Sequence, residues 1–312
     1  MYSVVRRLLL ALSRSARAQS FVLHFPPARR VARRFVAGET LEDALEVIAR
    51  LNAQGMAATL DHLGENVTTP EEAEEAAQAY VDALEAIHAR GLDSGVSVKL
   101  THLGLDLGED VAYENLRRIV AKAAEVERFV RIDMESSAYT DITLALYRRL
   151  RREFDNVGTV VQAYLYRTPQ DVAQLIEEGI ANLRLVKGAY DEPPSIAIQQ
   201  RERIREAFFA LLRQMWAPEA RARGSFAAIG SHDEAIIQYA IALARRLDLS
   251  SGEYEFQFLY GIRRDRAETL VRDGYRMRIY VPFGSQWYPY FMRRLAERPA
   301  NLLFFLRALV GG

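Results

Sequence analysis

The sequence predicts an α/β protein built as a distorted (β/α)8 TIM-type barrel. It adds N-terminal helices and a final helix that carries Arg293 and Arg294 over the barrel mouth. Three observations predict this. Eight short apolar runs alternate with helix-like stretches, the order of a parallel sheet with crossover helices. The C-terminal end of every run is polar. No Gly-rich phosphate turn follows the first run, which continues His62-Leu-Gly-Glu65, whereas a doubly wound sheet would want one there.

The elements follow in order along a single expected domain, 1–312, with 1–50 as an N-terminal helical segment. The first 38 residues hold eight Arg and no acid. Met1–Ser20 could be a targeting peptide, but the apolar run Leu8–Leu12 is short and Arg14 and Arg17 follow closely, which favours a basic amphipathic helix. Strand one, Ala57–Asp61, ends in Asp61 and precedes His62, Glu65 and a helix over Glu72–Arg90. Strand two, Val96–Leu100, carries Lys99 and leads to a helix over Val111–Glu127. Strand three, Phe129–Met134, carries Asp133 and is followed by Glu135, then a helix over Ile142–Glu153. Strand four, Thr159–Tyr164, brings Gln162 and Tyr164 ahead of a helix over Pro169–Glu178. Strand five, Leu183–Lys187, holds Arg184 and Lys187, with Gly188 and Tyr190 beyond it and a helix over Arg201–Trp216. Strand six, Phe226–Gly230, is followed by Ser231-His232-Asp233 and a helix over Glu234–Leu247. Strand seven, Tyr254–Phe258, brings Gln257 and then Tyr260, before a helix over Arg264–Asp273. Strand eight, Arg276–Val281, carries Tyr280; Pro282 and Gly284 then turn the chain into a helix from about Ser285. On that helix Trp287, Tyr290, Arg293, Arg294 and Glu297 share one face. Functional groups of such a barrel gather at the C-terminal strand ends, where these polar residues fall.

Composition removes several functions. Half of the 312 residues are hydrophobic, enough for a sizeable core, and the formal net charge of zero argues against nucleic-acid binding. With no cysteine there is no disulfide, thiolate nucleophile or Cys-ligated zinc. No apolar run approaches the ~18 residues of a membrane span. The basic residues are 38 Arg against three Lys, at 99, 122 and 187. Lys122 lies in a helical segment; Lys99 and Lys187 end β-like runs, which marks them as places where Arg does not substitute.

Motifs narrow the chemistry further. There is no Gly-x-Ser-x-Gly elbow, Walker A motif or Gly-x-Gly-x-x-Gly. Asp61, His62, Asp133, Glu135 and His232 could be drawn as metal ligands, but none of the five His is paired at His-x-His or His-x-x-x-His spacing. Lys99 or Lys187 could form a Schiff base, or a salt bridge to Asp133 or Glu135. Arg184, Arg293, Arg294 and the two lysines supply more cation than a Schiff base requires. That surplus suits a large anionic cofactor together with an anionic substrate.

Arg184-Leu-Val-Lys-Gly-Ala-Tyr190, Glu255-Phe-Gln-Phe-Leu-Tyr-Gly-Ile-Arg263 and Tyr280 through Glu297 together resemble proline dehydrogenase. Val96-Ser-Val-Lys99-Leu, Ile132-Asp133-Met-Glu135 and Val161-Gln162-Ala-Tyr164 agree in order and spacing, so the resemblance spans essentially the whole chain. The short monofunctional bacterial enzymes fit best; the proline dehydrogenase domain of proline utilization A belongs to the same family. The resemblance implies an FAD-dependent flavoprotein of proline degradation that oxidises L-proline to Δ1-pyrroline-5-carboxylate by hydride transfer to flavin N5. Its electrons would pass to a quinone or another acceptor. By similarity Arg293 and Arg294 hold the proline carboxylate with Lys99, and Tyr280 and Tyr290 pack around the ring. Asp133 looks like the partner of Lys99 or Tyr280. Gln162, Arg184, Lys187, Gly188, Ser231, His232 and Glu297 match flavin-binding positions, with Asp133 beside them. Glu65 resembles an acid that gates the site by pairing with one of the two arginines. No metal and no nucleic acid are expected.

The chain departs from the family pattern at Ser136-Ser137-Ala138-Tyr139, where an acid soon after Glu135 and an Arg near Tyr139 are expected. Ser231 stands where Thr is usual, and the loop 191–200 looks short. The expected location is cytoplasmic. The basic N-terminus and the apolar tail Leu302–Leu306 either pack on the barrel or make a peripheral contact at the inner face of the membrane.

Overall fold

The computed structural model describes residues 34–297, without the side chains of 293 and 295–297. The N-terminal 20 residues and the tail 302–306 therefore lie outside the described residues, as do the side chains of Arg293 and Glu297. Eight parallel strands close in sequence order: β1 (Ala57–His62), β2 (Ser94–Val98), β3 (Val130–Ile132), β4 (Val157–Gln162), β5 (Asn182–Val186), β6 (Phe226–Gly230), β7 (Tyr254–Leu259) and β8 (Met277–Phe283). β8 pairs back on β1 with Ala58 opposite Ile279 and Asp61 opposite Pro282.

The helices are α1 (Leu41–Ala53), α2 (Pro70–Ala89), α3 (Glu109–Glu125), α4 (Thr140–Arg151), α5 (Thr168–Glu177), α6 (Arg201–Met215), α7 (Pro218–Ala222), α8 (Glu234–Arg246), α9 (Arg264–Arg272) and α10 (Trp287–Glu297). Local chemistry sets their starts. Thr40 and Asp43 form a reciprocal capping box on α1, and Thr69 and Glu72 repeat it on α2 with Pro70 at the first position. α1 buries Ala44, Leu45, Val47 and Ile48 and packs outside β1 and β8. It thereby covers the wall of the last strand, while α10 leaves from the mouth end of that strand.

Alternation along the strands separates two environments. Leu60, Val96, Val98, Val130 and Ile132 belong to the apolar core between barrel and helices. Their neighbours Thr59, Asp61, Ser97 and Arg131 are equally buried but polar. Hydrogen bonds and ion pairs across the barrel, such as Arg184 to Asp133 and Arg278 to Glu255, show that this second set fills the lumen. Parallel strands covered on both faces are usually apolar throughout; this lumen is charged, and Lys99, Arg184 and Arg278 each stand beside a carboxylate.

Several predicted boundaries shift. β2 ends at Val98 rather than Leu100, β4 at Gln162 rather than Tyr164, and β5 at Val186, so Lys99, Tyr164 and Lys187 are loop residues immediately past their strands. β8 does not stop at Val281, and Pro282 does not turn the chain. At the mouth end of the strand no ladder donor is required of Pro282, and its carbonyl accepts from the Ala37 N–H at 2.8 Å. The turn comes at Gly284, with φ +120°, and α10 starts at Trp287 rather than Ser285.

Candidate active site

Five lumen side chains form one connected group at the C-terminal ends of β1, β2, β3, β5 and β8. Lys99 Nζ donates to Asp61 Oδ1 and Oδ2 at 2.9 and 3.0 Å and lies 3.3 Å from the Tyr280 hydroxyl. Tyr280 donates to Asp133 Oδ2 at 2.8 Å, and Lys99 stands 3.6 Å from the same oxygen. Arg184 donates to Asp133 Oδ1 at 2.8 Å, an atom that also accepts from Ser97 Oγ. The Arg184 guanidinium lies 5.3 Å from the centroid of the Tyr280 ring.

The electrostatics follow from burial and pairing. Burial works against the Lys99 charge, but Asp61, Tyr280 and Asp133 outweigh it and hold its pKa well above the ordinary value. Burial likewise opposes ionisation of Asp133, and the Arg184 and Lys99 charges reverse that and hold its carboxyl below the usual range. The Tyr280 hydroxyl is pushed well up by burial and by Asp133, so it stays protonated and donating. The site therefore holds a fixed ammonium, a fixed carboxylate and a neutral phenol.

Asp133 thus accepts from Tyr280 and stands 3.6 Å from Lys99, where the sequence left either of the two as its partner. The closest partner of Lys99, however, is Asp61, which the sequence marks as a polar strand end and a candidate metal ligand. Gln257 is a second addition: its Oε1 accepts from Arg184 Nε at 2.6 Å and its amide nitrogen donates to Glu255. Glu135 does not pair with a lysine; it accepts from the Thr101 N–H and hydroxyl. Burial, and to a lesser degree the charge of Glu65, raises its pKa. Glu65 is half-buried in the loop after β1.

On α10, Trp287 is buried, donates to Glu39 and packs edge-on against Phe291, which reaches Phe35. That part of the shared face is packing. Tyr290 and Arg294 form the polar part, with the guanidinium 5.1 Å from the ring centroid.

A second group gathers at β5 and β6. Lys187 and Arg205 both approach Asp233 Oδ2, at 3.6 and 2.9 Å, and Asp233 caps α8 through the Ala235 N–H. Ser231 Oγ accepts from the Asp233 N–H. His232 Nε2 accepts from the Leu259 N–H at 2.9 Å, which leaves the ring proton on Nδ1. Gly188 has φ +114°, and a Cβ there would fall 2.2 Å from the Tyr164 ring. Gln162 ends β4 and donates to the Glu135 carbonyl. At the divergent 136–139 stretch, Glu192 accepts from Ser137 N and Oγ, and Tyr139 donates to Asp106. Among the described residues no group of His, Asp and Glu is arranged to hold a metal ion, and no helix is long and apolar enough to cross a membrane.

The family model for proline dehydrogenase matches residues 44–307, which contain Asp61, Lys99, Asp133, Arg184 and Tyr280 as well as Lys187, Arg205 and Asp233. The chain belongs to the proline dehydrogenase family. It is 40% identical over 307 residues to proline dehydrogenase 1 of Bacillus subtilis strain 168, covering 98% of this chain and 99% of that protein. It is 39% identical over 287 residues to the proline dehydrogenase of Deinococcus radiodurans, covering 90% and 91%. Among solved structures, proline utilization A from Bdellovibrio bacteriovorus, inactivated by N-propargylglycine, superposes with a TM-score of 0.80 and 25% identity. That match covers 86% of this chain and 33% of the longer protein, so within the family this barrel corresponds to one part of proline utilization A.

Proposed function

We propose that this member of the proline dehydrogenase family oxidises L-proline to Δ1-pyrroline-5-carboxylate with FAD as its cofactor and a quinone as electron acceptor. The observation that carries the reading is the buried Lys99–Asp61–Asp133–Tyr280–Arg184 group, set inside the matched region at the barrel mouth. The donor set suits FAD. Lys187 and Arg205 both approach Asp233, two cations of the kind that bind a pyrophosphate. Arg184, Gln162, Ser231 and His232 are the further proposed flavin contacts, with Gly188 at a φ of +114° that suits glycine. Glu297 completes the proposed cofactor contacts.

FAD, when bound, supplies the acceptor for a hydride leaving C5 of proline at its N5. The protein's own part is positioning in a dry site. Arg294, with Arg293, clamps the proline carboxylate as a guanidinium fork, and Lys99 adds a third positive charge. Tyr280 and Tyr290 wall the ring. Asp133 holds Tyr280 and Lys99 in their orientations, so its role is to fix the residues that touch substrate. Glu65 gates entry by pairing with one of the two arginines. A cytoplasmic enzyme with a peripheral membrane contact would bring it to the quinone.

Purified protein is expected to be yellow with a flavin spectrum that L-proline bleaches. A colourless protein that takes up no FAD on reconstitution overturns the cofactor assignment. A flavoprotein that proline fails to bleach overturns the substrate.

A further inference from the structure

The closed end of the barrel carries charge that the mouth does not use. Three cations of the lumen stand beside a carboxylate: Lys99 at 2.9 Å from Asp61, Arg184 at 2.8 Å from Asp133 and Arg278 at 2.9 Å from Glu255. Arg131, on β3 and only 4% exposed, does not. Its Nη1 donates to the Thr159 and Asn182 carbonyls at 2.9 and 2.7 Å, and its Nη2 to Asn182 Oδ1 at 2.9 Å. Those partners are neutral, and the Phe129 ring centroid lies 4.9 Å from the guanidinium.

Arg131 borders a cavity of about 290 Å³ at the N-terminal ends of the strands. Arg276 and Arg278 line the same cavity, and the carboxylate among its lining residues is Glu255. Glu255 is already shared, accepting from Arg278 and Gln257 with Arg276 3.8 Å away. Three guanidiniums thus face one lining carboxylate, with the exposed Asp93 4.0 Å from Arg278 as the second acid nearby, in a space large enough for a further group. A buried cation without a counter-charge is costly. Burial, together with repulsion from Arg184, brings Arg131 down to about 9, which still leaves it charged at neutral pH.

We propose that this floor cavity binds a small inorganic oxyanion of the phosphate or sulfate class, held by Arg131, Arg276 and Arg278. Guanidinium forks match the oxygen spacing of such anions, and an anion offsets the positive charge that Glu255 and Asp93 leave over. The site is separate from the mouth, where Lys187, Lys99 and Arg294 stand at the opposite strand ends.

The test is calorimetric titration of inorganic phosphate into the full chain loaded with FAD, beside melting curves at constant ionic strength in phosphate or chloride. Saturable binding and a melting temperature that rises with phosphate but not with chloride are expected. Arg276→Gln, at the half-exposed rim, should weaken phosphate at least about tenfold, the effect of removing one charge-assisted partner, with proline turnover unchanged. Arg131→Met should abolish binding; because Arg131 also ties β4 to β5, Arg276→Gln keeps the test decisive if that variant fails to fold. Phosphate affinity unchanged in Arg276→Gln overturns the proposal. So does binding lost in Lys187→Ala, which would place the anion at the mouth, or a chloride effect equal to that of phosphate.

Discussion

Lys99 and Asp61 form a two-oxygen ion pair, 2.9 and 3.0 Å, in which the carboxylate has no exposed surface. The pair joins the ends of β1 and β2 inside the lumen. Asp61→Asn leaves the ammonium buried with Asp133 as its nearest remaining carboxylate, at 3.6 Å. Breaking a buried pair on one side should cost about 3–5 kcal/mol, read as a lowered midpoint in urea unfolding. Removing both charges in Asp61→Leu/Lys99→Met should recover most of that stability while proline turnover stays lost. If the single variant is as stable as the parent, the pair does not act as a unit.

This pair also shows what sequence can and cannot disclose. The barrel is legible because eight apolar runs alternate with amphipathic helices, and Lys99 stands out because a chain with 38 Arg keeps only three Lys. Strand alternation even places Asp61 and Ser97 on the lumen side, and pairing sets those two opposite each other. Which lumen residues then touch depends on register and strand tilt around the closed barrel. Those are set by the whole ring and not by any one strand, so Asp61 reads as a polar end and not as the partner of Lys99. Pro282 misleads for a related reason. Proline is a turn signal locally, yet at the mouth end of β8 its missing N–H leaves no ladder bond unmade.

Gln257 sits between opposite charges, accepting from Arg184 Nε and donating to Glu255 Oε1. A neutral amide is the group that can face a cation on one side and an anion on the other. Gln257→Glu would set a second carboxylate against Glu255, and Gln257→Leu would leave both neighbours with an unmet partner. Each should destabilise the protein by roughly 1–3 kcal/mol per unsatisfied group. Because Arg184 holds Asp133, proline turnover should fall as well. A Gln257→Leu enzyme with parental turnover would show that Arg184 is positioned without it.

Arg294 is the carboxylate clamp in the proposed function, stacked on Tyr290 at 5.1 Å. Losing one guanidinium from a desolvated charge pair costs roughly 2–5 kcal/mol of binding. Arg294→Met should therefore raise the Michaelis constant for proline far more than it lowers kcat. Tyr290→Phe, which keeps the ring under the guanidinium, should leave the stack intact and change affinity much less than Arg294→Met. Steady-state kinetics on the two variants separate a clamp from a merely structural arginine, since unchanged proline affinity in Arg294→Met removes the clamp.

His102 supplies a pH test independent of the reaction. It is 5% exposed, its ring lies 5.4 Å from that of His62, and Gly64 packs so closely that an added Cβ would sit 2.1 Å from Nε2. Burial first, then the nearby His62 and Lys99, lowers its pKa to about 3. A base depressed in the folded state binds its proton more readily when unfolded, so stability falls as pH drops from about 6.5 towards 3 and is level above that window. Each such histidine contributes a slope of up to about 1.4 kcal/mol per pH unit inside the window. Burial lowers His62 as well, so two histidines act together in the parent. Urea midpoints measured between pH 4.5 and 7.5 should therefore decline more steeply in the parent than in His102→Gln, with the two curves parallel above pH 7. Equal slopes below pH 6 would mean that His102 takes up its proton inside the folded barrel.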